Sequence, residues 1–451
     1  MDYLHLKSPG NWINDPNGFI YFGGKYHIFY QHFPYEPVWG TMHWGHAVSS
    51  DLINWEHKGI AVYPSKEFDR NGVFSGNAIV IDDKLYLYYT GIKYPNPNPE
   101  NIHVTADYLL EACQALIISE DGENFDNYGS KRMVIAPSDN DEEMSRSDTR
   151  DPKVWKSEAD GKYKMILGST NGGMGRIIFM ESEDALSWKQ ISSFEDPGFG
   201  GVFECPDLFR IDDKWILFCA ATDLLTDGKT FQAQEIYKIV DFDEITCNLS
   251  WDKESFFLDY GTDLYATQTN MDEYGNRVFI AWMRMPEAMD YAEGEVATVI
   301  GADKFNGMMT MPRVMELKNN HLYFRPHPNV EKQFVKPMNP AEIEGLEYSG
   351  VEALKIFGCK TEESASSGSS AYKISVDLKD QAKIDISGYI IEYNNGVVLT
   401  DRTAVYPVGN HRYICQTPVL TEGNHIDIYV DSHIIEIYAN NGEYALSNII
   451  Y

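Results

Sequence analysis

The feature that most constrains this chain is a phrase written five times. It is an acidic or glycine-containing turn, then Lys or Arg, then an alternating apolar run. It reads GGKYHIFYQ at 23–31, DDKLYLYYTG at 82–91, DGKYKMILGS at 160–169, DDKWILFCAA at 212–221 and, more loosely, YGNRVFIAWM at 274–283. Alternation of period two marks a half-buried strand. Gly, Asp and Asn accept the backbone angles of tight hairpin turns. Each phrase therefore reads as the second strand of a hairpin, with first strands expected at 18–22, 77–81, 153–156, 207–211 and 267–271. The basic residues Lys25, Lys84, Lys162, Lys214 and Arg277 lie 59, 78, 52 and 63 residues apart. That is room for about four strands per unit, as in a propeller blade. A second echo, SSDLINW at 49–55, SEDGENF at 119–125 and SEDALSW at 182–188, suits an outer turn whose aromatic packs between neighbouring blades. The expectation is an all-β chain with a five-bladed β-propeller over 1–325; an ordinary all-β fold with many hairpins is the alternative.

Three of the units carry an acid at one phase. Asp15 lies ten residues before Lys25, Asp151 eleven before Lys162 and Glu204 ten before Lys214. A radial array would aim such carboxylates at one centre. Each motif alone is weak. WINDPNG at 12–18 is also plain turn chemistry, although Pro16 pushes Asp15 towards extended geometry. RDPKVW at 150–155 repeats the Asp-Pro pair after Arg150, which a surface ion pair would also explain. FECPDLF at 203–209 sets Glu204 between Phe203 and Cys205, and apolar surroundings raise a carboxyl pKa as a general acid needs. All three at one phase of one repeat make a far stronger signal.

The 451 residues allow two or three domains. A formal charge of −31 speaks against nucleic acid and other polyanionic partners. No apolar run of about 18 residues suggests a membrane helix, and Trp12 already belongs to the first motif, which leaves no room for a signal peptide. The six cysteines are scattered, with no CxxC pair, so free thiols in a reducing cytoplasm are expected and a zinc or thioredoxin-type site is not.

Past 325 the texture changes. Residues 326–340 hold Pro326, Pro328, Pro337 and Pro340 and read as an ordered linker. Over 341–451, alternating runs at 371–378, 384–386, 425–430 and 434–438, with the turns Asn394-Asn395-Gly396 and Asn440-Asn441-Gly442, give the strand content of a β-sandwich. The Ser-rich stretch 364–370 reads as a loop between strands.

The three acidic motifs resemble those of glycoside hydrolase family 32, the invertases, fructan hydrolases and sucrose-6-phosphate hydrolases. The resemblance runs over nearly the whole chain, through FYQHFP at 29–34, WGHAVSSDLINW at 44–55, FSG at 74–76, DYGTDLYATQT at 259–269, MTMPR at 309–313 and IEIYANNGEY at 435–444. It implies a five-bladed propeller followed by a β-sandwich. It also implies Asp15 as nucleophile, Glu204 as acid/base and Asp151 as the carboxylate that holds fructose hydroxyls. Asn14, Gln31, Trp39, Phe74, Ser75 and Arg150 match positions that line the fructose subsite, and Trp44 is expected to wall its floor. Arg150 beside Asp151 would keep that carboxylate charged. No metal or cofactor is needed. Where many relatives carry Trp ahead of the MTxPR segment, this chain has Phe305, which keeps an apolar wall and lacks the indole donor.

The expected activity is that of a retaining, exo-acting β-fructofuranosidase. Its substrate is a small sugar, sucrose or a short fructo-oligosaccharide. Sucrose 6-phosphate and longer fructans (inulin, levan) are the alternatives. A phosphate would need cations near the rim, for which Arg70, Lys93 and Arg146 are candidates by their location in loops alone; ordinary solvated charge is the commoner reading of such residues. The proline-rich loop 93–112 is expected near the rim, limiting access for long chains. Two rivals stand outside the family: an arabinanase or β-xylosidase of the same architecture, and a non-catalytic glycan-binding propeller.

Overall fold

All five phrases close β-hairpins. In the computed structural model, which describes residues 4–107, 109–224, 233–252, 254–285, 305–360, 371–406 and 412–450, each hairpin is the inner half of a four-stranded antiparallel blade. Blade 1 runs Asn11–Phe22, Lys25–Phe33, His43–Ser49 and Glu56–Val62, and blade 2 runs Gly72–Ile81, Lys84–Lys93, Glu111–Ser119 and Arg132–Ile135. Blade 3 comprises Arg150–Lys156, Tyr163–Asn171, Met174–Ser182 and Lys189–Glu195. Blade 4 comprises Phe203–Ile211, Lys214–Ala221, Gln234–Asp243 and Asn248–Trp251. Blade 5 uses Leu264–Met271, Arg277–Met283, Arg313–Lys318 and His321–Pro326. The propeller expectation is met.

Every seam between blades has its own apolar core, because a blade is a sheet whose two faces must both be covered. Trp44 and Ile20 of blade 1 meet Leu87 and Tyr89 of blade 2, and Tyr88 meets Met165 and Leu167 of blade 3. Ile166 and Phe179 meet Phe203 and Leu217 of blade 4, and Phe218 meets Phe279 of blade 5. Ile280 and Val278 then return to Ile13 and Ile28 of blade 1. The outer turns work as the second echo suggests. Asp51, Asp121 and Asp184 each accept two backbone N–H bonds inside their turn. The aromatic that ends each turn reaches the preceding blade: Phe125 packs edge-on to Phe29 at 5.6 Å and Trp188 to Tyr88 at 5.9 Å.

The segment 326–340 is structured. Pro328–Glu331 makes one helical turn and Phe334–Pro337 pairs with Leu346–Cys359 of the C-terminal sheet. That sheet has nine strands. Its long strand Tyr372–Ile386 takes in 372–378 of the first expected run and all of the second at 384–386, so the two are one strand. One part of it pairs with His425–Asp431 and the other with Tyr389–Asn394, so the sheet folds over on itself. Ile374, Ile384, Ile391, Ile428 and Ile437 fill the space between the layers, which gives the expected sandwich. Both Asn-Asn-Gly turns close hairpins, the first with Asn395 and Gly396 at φ of 50° and 82°. The stretch 364–370 lies outside the described residues.

A buried polar lock joins the two halves. Arg313 of blade 5 donates to Asp259, Glu436 and Ser447, and Arg402 pairs with Asp263. His5 sits between Asp431 and Glu436.

Candidate active site

The inner strands begin earlier than the sequence suggested. They run through the acidic motifs, because each inner strand carries one extra residue at the same level. In blade 1 the bulge lies between Ile13 and Pro16, in blade 2 between Phe74 and Gly76, and in blade 3 between Arg150 and Lys153. In blade 4 it lies between Glu204 and Asp207, and in blade 5 between Tyr265 and Gln268. A bulge re-aims side chains and lets proline stand in a strand without breaking the ladder. Asp151, Cys205 and Ala266 take left-handed backbone angles there, with φ of 62°, 45° and 54°. Five bulges at one level make a ring around the axis, and the predicted acids stand on it. Close approach at the ring demands glycine: a Cβ on Gly168 would lie 2.0 Å from the Phe203 carbonyl oxygen.

The three predicted carboxyls converge. The Cys205 thiol lies 3.5 Å from Asp15 Oδ2 and 3.7 Å from Asp151 Oδ2, and the Cys205 amide donates to Asp151 Oδ2 at 2.9 Å. Asp15 is held from blades 1 and 2. Ser75 donates to its Oδ2 at 2.5 Å, Gln31 to the same oxygen at 2.9 Å, and Asn14 to Oδ1 at 3.0 Å. Asn14 is oriented in turn by the Trp12 indole N–H at 2.7 Å.

Glu204 has a different environment. Arg150 donates to its Oε1 at 3.2 Å and the Tyr265 hydroxyl to Oε2 at 2.7 Å. Burial raises the Glu204 pKa above the ordinary glutamate value, with Arg150 and Tyr265 pulling the other way. Burial also pushes Asp151 up to about 7, opposed by Arg150 and reinforced by the charges of Glu204 and Asp15. The expectation that Arg150 keeps Asp151 charged therefore meets a stronger opposing effect. The ion pairs of Arg150 go to Glu204 and Asp148, and desolvation dominates at Asp151. Burial keeps the Cys205 thiol protonated, its pKa well above the ordinary value.

The aromatic positions divide. Phe74 belongs to the cluster of Trp12, Phe33, Tyr265 and Trp282 around the ring. Trp39 stands edge-on to Phe74 at 5.9 Å and is 37 % exposed. Trp44 is fully buried behind this layer, where its indole donates to the Phe74 carbonyl at 3.1 Å. Phe305 packs instead with Tyr406, Ile434 and Ile449, covered by the Lys7 ammonium at 4.3 Å. With Asn306 it forms a two-residue parallel strand on Asn11 and Trp12 that closes the propeller circle.

Two neighbours of the acids escaped sequence reasoning. Tyr265, in the quoted DLYATQT run, holds Glu204; it stands at the edge of the blade-5 bulge, which is defined only against the opposite strand, so no local signal in the sequence marked it. Trp282, in the fifth repeat, sits edge-on to Trp12 at 5.8 Å and supplies indole surface that Phe305 does not. Glu235 is a further buried carboxyl near the acids. It lies two strands outward from Glu204 with Ala220 between them, and burial raises it to about 8.

Arg70, Lys93 and Arg146 are already paired. Arg70 and Lys93 reach Glu67, and Lys93 and Arg146 share Glu111.

Comparison with known proteins gives one answer. The model of the glycosyl hydrolases family 32 N-terminal domain matches residues 5–326, and that of the family 32 C-terminal domain matches 360–451. The chain is 30 % identical to a sucrose-6-phosphate hydrolase of Bacillus subtilis (strain 168), over 99 % of this chain and 88 % of that protein. It is 29 % identical to a raffinose invertase of Escherichia coli, over 99 % of this chain and 89 % of that protein. Among solved structures it resembles a Bombyx mori GH32 beta-fructofuranosidase with a TM-score of 0.79 at 28 % identity, covering 100 % of this chain and 89 % of that one.

Proposed function

Because the chain belongs to glycosyl hydrolase family 32, we propose that it is a retaining, exo-acting β-fructofuranosidase that releases the terminal fructosyl unit of sucrose and short fructo-oligosaccharides. The observation that carries this reading is the convergence of Asp15, Asp151 and Glu204 on one ring, linked through Cys205 and Arg150.

Asp15 is the nucleophile. Its three side-chain donors, Asn14, Gln31 and Ser75, suit an ionised carboxylate with a fixed direction of attack. Glu204 is the acid/base. Its raised pKa favours the proton that the departing glycosidic oxygen must receive, while Arg150 and Tyr265 support the carboxylate left behind. Asp15 then holds the fructosyl unit covalently at the anomeric carbon, and Glu204 draws a proton from the water that releases it, so configuration is retained. Asp151, buried and raised to about 7, serves as a hydrogen-bonding partner for fructose hydroxyls.

The same reading divides the chain into a catalytic propeller at 1–325, a joining segment at 326–340 and a β-sandwich at 341–451. It also gives a cytoplasmic location, which suits six buried free thiols. Among the described residues no helix is long and apolar enough to cross a membrane. A solved Bombyx mori relative, a mutant at 27 % identity with a TM-score of 0.76, is in complex with sucrose. That supports sucrose as the first substrate to test.

Two variants and one spectrum test the proposal. Asp15→Asn and Glu204→Gln, both nearly isosteric, should fold and should lose sucrose hydrolysis by roughly 10²-fold or more. Early proton NMR of the wild-type reaction should show β-fructofuranose before mutarotation. Near-normal turnover in either variant would refute the role given to that residue, and inverted product would refute the double displacement.

A further inference from the structure

The proline-rich chain between Lys84–Lys93 and Glu111–Ser119 of blade 2 crosses onto blade 1. It is knit internally, with Pro97 bridged to Thr105, the Ala106 amide donating to Asn96 O at 2.9 Å and Asn96 Nδ2 to Asp107 Oδ2 at 2.6 Å. Its root is anchored by Tyr94, fully buried in the aromatic cluster around the ring, whose hydroxyl donates to the His103 carbonyl at 3.2 Å. From that support the His103 imidazole projects onto blade 1. It meets the edge of Phe33 at 4.8 Å, lies roughly parallel to Tyr35 at 6.2 Å, and sets Nδ1 2.9 Å from Thr41 Oγ1.

These three contacts bracket the blade-1 segment 34–41. The segment has no strand pairing of its own and lies on the Phe33 ring, where a Cβ on Gly40 would come within 2.7 Å. It carries Trp39, which touches Phe74 beside the acids, and Tyr35, which is 65 % exposed. Trp39 thus stands beside the acids, with Tyr35 four residues before it, on a segment that His103 and Phe74 contact from the neighbouring blade. Within blade 1, Asn11 Nδ2 donates to the Pro34 carbonyl at 2.7 Å and His43 Nδ1 lies 2.9 Å from the Thr41 carbonyl. Aromatic faces match the C–H faces of uncharged sugar rings.

We propose that His103 is a positioning residue for the leaving group: it clamps segment 34–41 so that Trp39 and Tyr35 form a platform for the neutral sugar ring next to the departing fructosyl unit. The proposal rests on the β-fructofuranosidase reading and adds the residue that shapes the leaving-group side. His103 touches no reacting atom. Its loss lets the platform move, and binding that is equal in ground and transition states weakens, which raises KM more than it lowers kcat.

The test is steady-state kinetics on sucrose and 1-kestose with wild type, His103→Ala, His103→Phe and Thr41→Val, with Tm measured for each. His103→Ala should raise KM by roughly three- to tenfold, the range expected for one lost aromatic contact, with a smaller change in kcat. His103→Phe, which keeps the ring, should recover most of the loss. Unchanged KM for both sugars in a folded His103→Ala enzyme would overturn the proposal, as would a fall in kcat with KM intact. Should His103→Ala fail to fold, Thr41→Val decides: a raised KM with Tm retained supports the clamp, and an unchanged KM overturns it. A wild type that cleaves no fructoside would instead defeat the underlying family activity, and this proposal with it.

Discussion

Tyr265 and Glu204, 61 residues apart in the chain, are joined by a 2.7 Å hydrogen bond in which the phenol donates to the carboxylate. Burial and the charge of Glu204 raise the Tyr265 pKa well above the ordinary tyrosine value, so it remains a donor at every working pH. Because this bond favours ionised Glu204, Tyr265→Phe should raise the Glu204 pKa further. The alkaline limb of the kcat/KM profile should move to higher pH. A bond to a charged group is worth about 1.5–3 kcal/mol, so kcat should fall roughly 10- to 100-fold through the step that needs carboxylate. An unmoved alkaline limb would show that Tyr265 does not tune Glu204.

The ring of bulges gathers the three acids, and Tyr94 and Leu110, at the two roots of the blade-2 loop, pack into the aromatic cluster around it. Only a chain end should reach Asp15. Fructose should be the sole early product from inulin or levan, and sucrose and kestose should be cut faster per site than either polymer. Chromatography of early time points decides this; mid-length oligosaccharides would mean an open cleft and internal cleavage.

The rim cations bear on phosphate. Lys93 lies 3.4 Å from Glu67 and 3.6 Å from Glu111, and Arg146 lies 2.8 Å from Glu111. A phosphate would have to break these pairs and face the carboxylates left behind. Sucrose 6-phosphate should therefore have no higher kcat/KM than sucrose. A preference for the phosphorylated sugar of about tenfold, or 1.4 kcal/mol, would contradict this.

Stability should carry a signature of His5. Both ring nitrogens lie 3.0 Å from carboxylates of the C-terminal sheet. Burial disfavours its charge, but the hydrogen bonds it donates to Asp431 and Glu436, with the charges of those carboxylates, overcome that and lift the pKa from 6.5 to about 9. A folded-state pKa above the unfolded one gives stability that is complete below about pH 6.5 and lost as pH rises through 9. The effect is of the order of 3 kcal/mol. Tm of the wild type should fall across that window, and His5→Gln should flatten the fall. Equal slopes in the two proteins would assign the loss to other groups.

The thiols should be silent. All six cysteines are buried and free, and burial raises each of their pKa values. Ellman's reagent should find none in the native protein and six after denaturation.

The sequence alone determined the blades, their number, the phase of the three acids and the family. These are local signals. A hairpin is written in adjacent residues by its turn and its period-two run, and a repeat makes the same local statement again at each blade. Hence all five inner hairpins and both Asn-Asn-Gly turns stand where the residues put them. The structure alone decided what each acid touches. A bulge exists only relative to the strand opposite it, so motifs that looked like turns became strand ends aimed at the axis. Arg150 pairs with Glu204 across a blade seam, although Asp151 is its neighbour in the chain, because direction in space and not adjacency sets an ion pair. Phe305 closes the propeller circle, while Trp282 brings indole surface to the ring. His103 meets Thr41 only because two blades stand side by side. Contacts across seams depend on how sheets pack face to face, and no periodicity along the chain records that.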